Sequence, residues 1–190
     1  MKALLLGQFN FLIGKEPSAG SFFCGMEMLA SGIEKNPLFV ELDALIQPMG
    51  YRLVDVVRND VRDGIQLTVV VAKGEGDITT DDLAAVYNVV YPRYQVIWKT
   101  RDLTLEVSSP GLQRNFRDSY EFHVFTGRMV KVYSTSHKGY LEGRIESCDN
   151  GLVTLSQARL MDSSQELGTV SLQLDDIQKA KLTYRWEEKK

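Results

Sequence analysis

Apolar and polar positions alternate most clearly in the segment 103–108, which reads Leu-Thr-Leu-Glu-Val-Ser. A period of two residues is typical of a strand with one buried face. Pro110 and Gly111 follow almost at once. Proline has no backbone N–H and glycine can adopt a positive φ, so strand pairing should end here and the chain should turn. The segment 108–111 is therefore predicted to link two structural units.

The chain before this linker has the alternating patterns of an α+β domain. The predicted elements are, in order, a helix over 37–48, strands over 51–58 and 65–72, a helix from 79 to 92, and a strand over 103–107. Thr79 and Asp82 form a capping-box pattern at the start of the second helix, and Pro92 is expected to limit it. The segment 59–64 links the first two strands, and the turn residues Asp63-Gly64 within it predict a hairpin. The resulting order is α-β-β-α-β.

The chain after the linker has a different pattern. A short helix is predicted from Asp118 to Thr126, with Gly127 just after its end. Five short strands follow, over 129–134, 140–148, 152–156, 170–174 and 180–184. Asn150-Gly151 predicts a tight turn, and the segment 174–177 predicts a single helical turn before the last strand. This pattern suggests a small all-β SH3-like or Sm-like barrel.

These patterns divide the chain into four parts. Residues 1–25 lack a clean period and are predicted to be a disordered extension or the product of a mis-set start codon, because Met26 and Met28 precede the first coherent helix. Residues 26–107 form the first domain and 108–111 the linker. Residues 112–186 form the second domain, after which we expect a frayed, charged end.

Charge and cysteine content exclude several classes of protein. The net charge is −3, so the protein is not a polycation that coats nucleic acid. Residues 111–190 carry 12 basic and 11 acidic side chains, whereas residues 1–110 carry 10 and 14, so the second half is better suited to face phosphate. Cys24 and Cys148 are isolated and His occurs only at 123 and 137, which is too little for a dedicated zinc site. We predict no metal and no cofactor.

The candidate catalytic groups are weak. His123 could act as a base for Ser108 or Ser109, but no acidic residue is placed to orient it, so a packing or surface role is favoured. A hydrolase that uses either serine stays open as the less favoured alternative. His137 lies in a polar hairpin loop, and Asp81 and Asp82 fit the first turn of a helix, where negative charge is stabilising. We expect no enzyme activity.

Basic and aromatic residues of the second half are a better candidate for function. Those that could form one patch are Arg114, Arg117, Arg128, Lys131 and Arg144, beside Tyr133 and Tyr140. Arginine, lysine and tyrosine together suit the RNA backbone and base stacking. The alternative interpretation is an ordinary charged barrel surface.

Five motifs give the chain a resemblance to the ribosome maturation factor RimP family over about residues 38–184. They are Gly-Tyr-x-Leu-Val-Asp-Val at 50–56, Ile-Thr-x-Asp-Asp-Leu at 78–83, Leu-Glu-Val-Ser-Ser-Pro-Gly-Leu at 105–112 with Arg114, Phe-x-Gly at 125–127 before Val-Lys-Val at 130–132, and Leu-x-x-Ile-x-Lys-Ala at 174–180. Gln113 and Asn115 depart from the family, which usually has Asp and Pro there. The second helix also lacks the usual Ser-Arg pair after its first turn.

The resemblance implies a non-catalytic, cytoplasmic assembly factor that binds the immature small ribosomal subunit and promotes its maturation. The expected partners are a ribosomal protein of the decoding region and nearby rRNA, and the protein itself is expected to be a monomer. We expect the contact residues to be Glu106, Ser108, Ser109, Pro110, Gly111, Leu112, Arg114, Arg117, Arg128 and Lys131. Pro110 and Gly111 should set the angle between the domains. An Sm-like RNA-binding module that acts outside ribosome assembly remains an alternative.

Overall fold

The computed structural model describes residues 32–183, except 63, 75, 100, 101 and 164. An α-β-β-α-β region with a mixed sheet is followed by a five-stranded antiparallel sheet, which confirms the predicted α+β class. The predicted extension at 1–25, Cys24 and the charged end after residue 183 lie outside the described residues. Within the described part, no helix is both long and apolar enough to cross a membrane.

Helices and strands are mixed in the first region, whereas the second region consists almost entirely of strands. In chain order they are α1 Pro37–Ile46, β1 Tyr51–Val61, β2 Gly64–Lys73, α2 Thr80–Ile97, β3 Leu103–Ser108, α3 Glu121–Val124, β4 Met129–Ser134, β5 Gly139–Asp149, β6 Leu152–Leu160, β7 Gln165–Gln173 and β8 Ile177–Leu182. Single 3₁₀ turns occupy Ile33–Lys35, Gln47–Met49 and Leu174–Asp176. The helical turn predicted before the last strand is confirmed.

The first sheet has the order β1-β2-β3, with β1 antiparallel and β3 parallel to the central strand. The predicted hairpin of β1 and β2 is confirmed, but its connecting segment is shorter than the predicted 59–64, because Asn59 and Asp60 pair with β2 and Val61 pairs with Gly64. Ladder bonds use the backbone alone, so polar side chains at an exposed strand end do not prevent pairing. The hairpin turn is therefore only two residues long.

The second helix begins as predicted and ends later than predicted. The Thr79 side chain accepts from the Asp82 backbone and Asp82 bonds back to the Thr79 backbone, which confirms the capping box. Pro92 lies inside α2 and does not end it. Its ring faces solvent, while Tyr94 in the next turn is buried and packs 4.6 Å from the Trp98 ring. Burial of these aromatic groups favours continuation of the helix past the missing N–H.

Both faces of the first sheet are buried, which places it between two hydrophobic cores. On one face, α1 and α2 cover Leu53, Leu67 and Val69. On the other face, Val54, Val70 and Ala72 belong to the core of the second region. Residues 69–72 are therefore all apolar, because a strand that is buried on both faces does not alternate apolar with polar residues.

The second sheet has the order β7-β6-β5-β4-β8. Asn150 and Gly151 have φ values of 51° and 78°, which confirms the tight turn between β5 and β6. The fourth predicted strand begins earlier than expected, at Gln165, and Gly168 within it has a positive φ of 73°. Gly168 lies where the pairing of β6 with β7 shifts register. The strand is therefore irregular, and its apolar and polar residues do not alternate in the way that predicts a strand.

The segment before β4 covers the edge of β8. The Phe116 N–H donates to the Ala180 carbonyl at 2.8 Å, and the Leu182 N–H donates to the Arg114 carbonyl at 2.9 Å. The helix predicted from Asp118 is wrong in its extent, because α3 spans only Glu121–Val124. The Asp118 carboxylate instead accepts from the backbone N–H groups of Tyr120 and, from the first region, Ile33. The predicted domain boundaries at 107 and 112 stay a prediction.

Candidate functional site

The residues predicted to bind the ribosome lie in three separate places. Glu106 is exposed on β3, and the linker follows it. Arg114 and Arg117 lie between the two regions of the protein. Arg128 and Lys131 lie at the start of the second sheet, where Arg128 is exposed. The structure therefore does not bring all these residues together into one surface.

The linker presents an exposed turn. Ser108 is half-buried at the end of β3, whereas Ser109 is exposed. Gly111 has a φ of 74°, the left-handed conformation that favours glycine, and Pro110 before it is half-buried. The Leu112 side chain is 53% exposed. The linker could therefore offer both backbone groups and an apolar side chain to a partner.

The contact between the two regions, here called the seam, is built around a buried arginine. Arg114 Nη2 donates to Asp55 Oδ2 at 3.1 Å and to Glu121 Oε1 at 3.2 Å, and Arg114 Nε donates to Glu121 Oε2. Glu121 also accepts from the backbone N–H of Arg117 at 2.8 Å. Arg117 Nη1 donates to Asp55 Oδ2 at 3.0 Å. One carboxylate from β1 and one from α3 thus hold the Arg114 guanidinium.

The two arginines differ strongly in their exposure. The Arg114 side chain is 10% exposed and the Arg117 side chain 68%. Burial alone would lower the pKa of Arg114, but the carboxylates of Glu121 and Asp55 outweigh burial and raise this pKa above its ordinary value. Arg114 therefore stays charged inside the seam. Arg117 stays accessible to a partner while it neutralises part of the Asp55 charge.

Apolar contacts complete the seam. Val54, Val70 and Ala72 of the first sheet pack in one core with Phe122 and Phe125, which lie within α3 and just after it. Farther along the seam, aromatic rings from the two regions meet edge to face, since the centroids of Phe39 and Tyr120 are 5.3 Å apart. Apolar burial is the largest favourable term in such contacts, and the ion pairs add directional bonds to it.

Prediction from the sequence found Arg114 but missed its carboxylate partners. Asp55 interrupts the apolar run of β1, and it is only 6% exposed. Charged residues are rarely this buried unless they are paired, so an aspartate inside an apolar strand was a usable signal. Glu121 is 1% exposed and lies in a short helix with no period to show its inner face. No comparable signal along the chain points to this glutamate.

The two histidines have different surroundings, and neither is arranged for nucleophilic catalysis. Among the described residues, no hydrogen bond involves the exposed His123 ring or the hydroxyls of Ser108 and Ser109. His137 Nδ1 lies 3.0 Å from Ser134 Oγ, but this hydroxyl donates to Asp176 Oδ2 at 2.5 Å and is fully buried. The Ser134 hydroxyl lies between the Asp176 carboxylate and the His137 imidazole and is closed to solvent, so it cannot reach a substrate.

Asp176 serves the turn between β4 and β5. Its carboxylate accepts from the hydroxyls of Ser134, Thr135 and Ser136 and from the Ser136 backbone N–H. Partial burial would raise the pKa of Asp176, but these hydrogen bonds lower it well below the ordinary range. Cys148 is buried with a free thiol, and burial raises its pKa. Among the described residues, no group of three acidic, histidine or cysteine side chains could hold a metal ion.

The predicted basic and aromatic patch is partly formed. Lys131 Nζ lies 4.2 Å from the centre of the Tyr140 ring, and the Tyr133 and Tyr140 rings meet edge to face at 5.0 Å. Arg144 Nη1 donates to the Gly127 carbonyl at 3.0 Å. Arg114 does not belong to this patch, because it is buried in the seam. The second sheet therefore combines lysine, tyrosine and the exposed Arg144 on one face, without Arg114.

Comparison with protein families supports the resemblance found in the sequence. Residues 41–113 match the family model described as the RimP N-terminal domain. This range includes most of α1, the whole first sheet, α2, the linker and the two residues after it, Leu112 and Gln113. The predicted resemblance is thus confirmed for the first region and the linker motif.

Proposed function

We propose that the protein binds the immature small ribosomal subunit and promotes its maturation. The proposal is based on the match of residues 41–113 to the RimP N-terminal domain. RimP proteins are ribosome maturation factors, and their family is not known to be catalytic, so the domain implies a role in ribosome maturation. The match to this domain is the observation that carries the proposal.

The seam supports such a role physically. An assembly factor acts by binding one conformer of a flexible particle more tightly than another. Two surfaces held at a fixed angle discriminate between conformers better than two freely jointed ones, because both must fit at once. The buried pair of Arg114 with Asp55 joins the two regions, and Glu121 holds the guanidinium in place for it, which supports a fixed angle.

The finer features of the role follow the resemblance. We propose that the partners are a ribosomal protein of the decoding region and the rRNA beside it, and that the protein acts in the cytoplasm as a monomer without a cofactor. Exposed groups near the linker, above all Leu112 and Arg117, are the proposed contacts on the side of the first region. The buried Arg114 acts by holding the seam.

Co-sedimentation tests the proposal. Tagged protein is mixed with free small subunits, free large subunits and mature ribosomes, and its distribution is measured after gradient centrifugation. We expect it to migrate with free small subunits and to be depleted from the other two particles. An equal distribution over the three particles, or none at all, would contradict the proposal.

An Sm-like RNA-binding module remains a second candidate, because Lys131, Tyr133 and Tyr140 lie together on the second sheet. Such a module would bind naked RNA with strong salt dependence whether or not it bound small subunits. A serine hydrolase has no comparable support, since none of the described residues places a base within hydrogen-bond distance of the Ser108 or Ser109 hydroxyl. We expect serine-reactive probes to leave both residues unlabelled, and labelling of either would revive that alternative.

A further inference from the structure

The outer surface of the second sheet carries a regular array of lysine and tyrosine. In β4, Lys131 and Tyr133 alternate with the buried Val130, Val132 and Ser134. Across the ladder, Lys131 pairs with Lys181, and Tyr133 pairs with both Lys179 and Tyr140. Side chains directly opposite each other in a ladder lie on the same face. Lys131, Tyr133, Tyr140, Lys179 and Lys181 thus form one continuous patch, here called the basic face.

The charge of the basic face is local and largely uncompensated. Within the described residues, the ion pairs formed do not include Lys131, Lys179 or Lys181. The nearest acidic side chain in the ladder is Glu142, opposite Lys131, and it forms an ion pair with Arg159 on β6. The whole chain has a net charge of −3, so a cluster of three lysines is a departure from the average surface. A positive field of this kind attracts a polyanion.

The tyrosines distinguish between possible polyanions. The Tyr140 ring is already covered by the Lys131 ammonium on one side and by Tyr133 at its edge. Tyr133 itself is half-buried, and Lys179 lies opposite it in the ladder. A partly exposed aromatic ring beside lysines suits a single-stranded nucleic acid, because an unstacked base can stack on the ring while the lysines neutralise its phosphates.

We infer that the basic face binds a single-stranded RNA segment, with phosphates on Lys131, Lys179 and Lys181 and a base stacked on Tyr133. The inference rests on the proposed function, because it assigns to the second sheet the rRNA contact of a small-subunit maturation factor. It also gives Lys179 and Lys181, which were not part of the patch predicted from the sequence, a role as important as that of Lys131.

The test uses a fluorescein-labelled oligouridylate of about 12 nucleotides, a length within the range that one small barrel covers. Anisotropy gives its Kd for the full chain between about 50 and 200 mM salt. The variants are Lys179→Gln with Lys181→Gln, which removes two charges, and Tyr133→Leu, which removes the ring. The matched control is Lys35→Gln with Lys99→Gln, because both lysines are exposed on the first region. Circular dichroism verifies that each variant is folded.

We expect the Lys179/Lys181 variant to lose roughly tenfold in affinity at about 0.1 M salt and to reduce the salt slope by roughly 1.4, since each phosphate contact on a single strand contributes about 0.7. Tyr133→Leu should lose about five- to 150-fold with little change of slope, the range for one stacked base. The control should bind as the wild type does. Equal binding by the lysine variant and the control would overturn the inference.

Co-sedimentation with small subunits, run with the same variants, separates this inference from the proposed function. If the wild type binds small subunits but not the oligouridylate, and the lysine variant loses subunit binding, the basic face contacts protein and the RNA inference is wrong. If the wild type binds the oligouridylate through the basic face but not small subunits, the inference stands and the proposed function falls. Failure of both assays would overturn both.

Discussion

Arg114 and Arg117 both donate to Asp55 Oδ2, at 3.1 and 3.0 Å, but the Arg114 side chain is buried and the Arg117 side chain is exposed. Removal of Arg114 leaves Glu121 as a buried charge without a compensating cation, which costs about 3–5 kcal/mol. Removal of the exposed Arg117 should cost less than about 1 kcal/mol. We therefore expect urea unfolding to show a large loss of stability for Arg114→Ala and a small one for Arg117→Ala.

The same pair of variants contains its own control, because both remove an arginine from Asp55. Similar losses for the two would show that burial of the seam does not determine the strength of its ion pairs. Adding Glu121→Gln to Arg114→Ala should recover part of the lost stability, since the buried charge is then removed as well. This recovery would identify the stranded carboxylate as the source of the loss.

Asp176 gives a prediction for the dependence of stability on pH. Its hydroxyl and N–H donors hold its pKa below the ordinary carboxyl value of about 4. A carboxyl group with a lowered folded pKa stabilises the protein fully above its ordinary value, and this contribution declines as the pH falls below it. We expect Asp176→Asn to lose more stability at pH ~7 than at pH ~3, measured by urea unfolding. An equal loss at both pH values would contradict this assignment.

At the scale of the elements, Gly64 is the first residue of β2 and lies against Asp102, the residue just before β3. A Cβ at this glycine would lie 2.0 Å from the Asp102 carbonyl oxygen, and the Ile65 N–H donates to that same oxygen at 2.9 Å. Gly64→Ala must therefore push the parallel strands apart, and we expect a loss of about 1–3 kcal/mol. Gly74→Ala is the matched control, because no atom lies within 4 Å of its Cβ and its φ is not positive. Thermal unfolding measures both, and a Gly64→Ala protein as stable as the control would contradict the contact.

The elements could be predicted where the deciding interactions are local. The capping box at Thr79 and the turn at Asn150-Gly151 depend on side chains and dihedral angles within a few residues, so they are readable from sequence. Pro92 was misread because burial of Tyr94, a contact made across the fold, keeps the helix intact past it. Asp118 was misread as a cap because its carboxylate also bonds Ile33, which is distant in sequence.

For the whole molecule, the seam and the linker have separable roles. Gly111 has a φ of 74°, and a Cβ at this position would meet no atom within 4 Å, so a substitution there strains the backbone alone. We expect Gly111→Val to lower stability by about 1–2 kcal/mol, while Gly111→Asn loses less because asparagine tolerates this region. Both variants should still co-sediment with small subunits, because the seam still holds the two regions together.

Arg114→Ala is the comparison for binding in the same assay. It should weaken co-sedimentation without a change in salt dependence, since its guanidinium meets no phosphate. If Gly111→Val loses subunit binding at unchanged stability, the linker contacts the subunit directly or sets the angle by itself. That outcome would restore the expectation that Pro110 and Gly111 set the angle between the domains.

The candidate site was predictable only in part, because it depends on which residues become neighbours. Lys131, Tyr133 and Tyr140 were found because they lie close in sequence around one hairpin. Lys179 and Lys181 join them only through the pairing of β8 with β4, a contact between strands separated by most of the second region. The alternation of Lys179 and Lys181 with Ala180 and Leu182 predicts an exposed face, but not the strand beside it.

In the proposed function, the burial of Arg114 bears on how the protein would release a small subunit. Bending at the seam would separate this guanidinium from Asp55 and open the apolar core that the two regions share, so the structure favours a fixed arrangement of the two regions. In the proposed function, the partner that changes shape is the ribosomal particle. A factor of fixed shape would stay bound while the spacing of its two contact points on the particle matches its own, and it would dissociate once maturation alters that spacing.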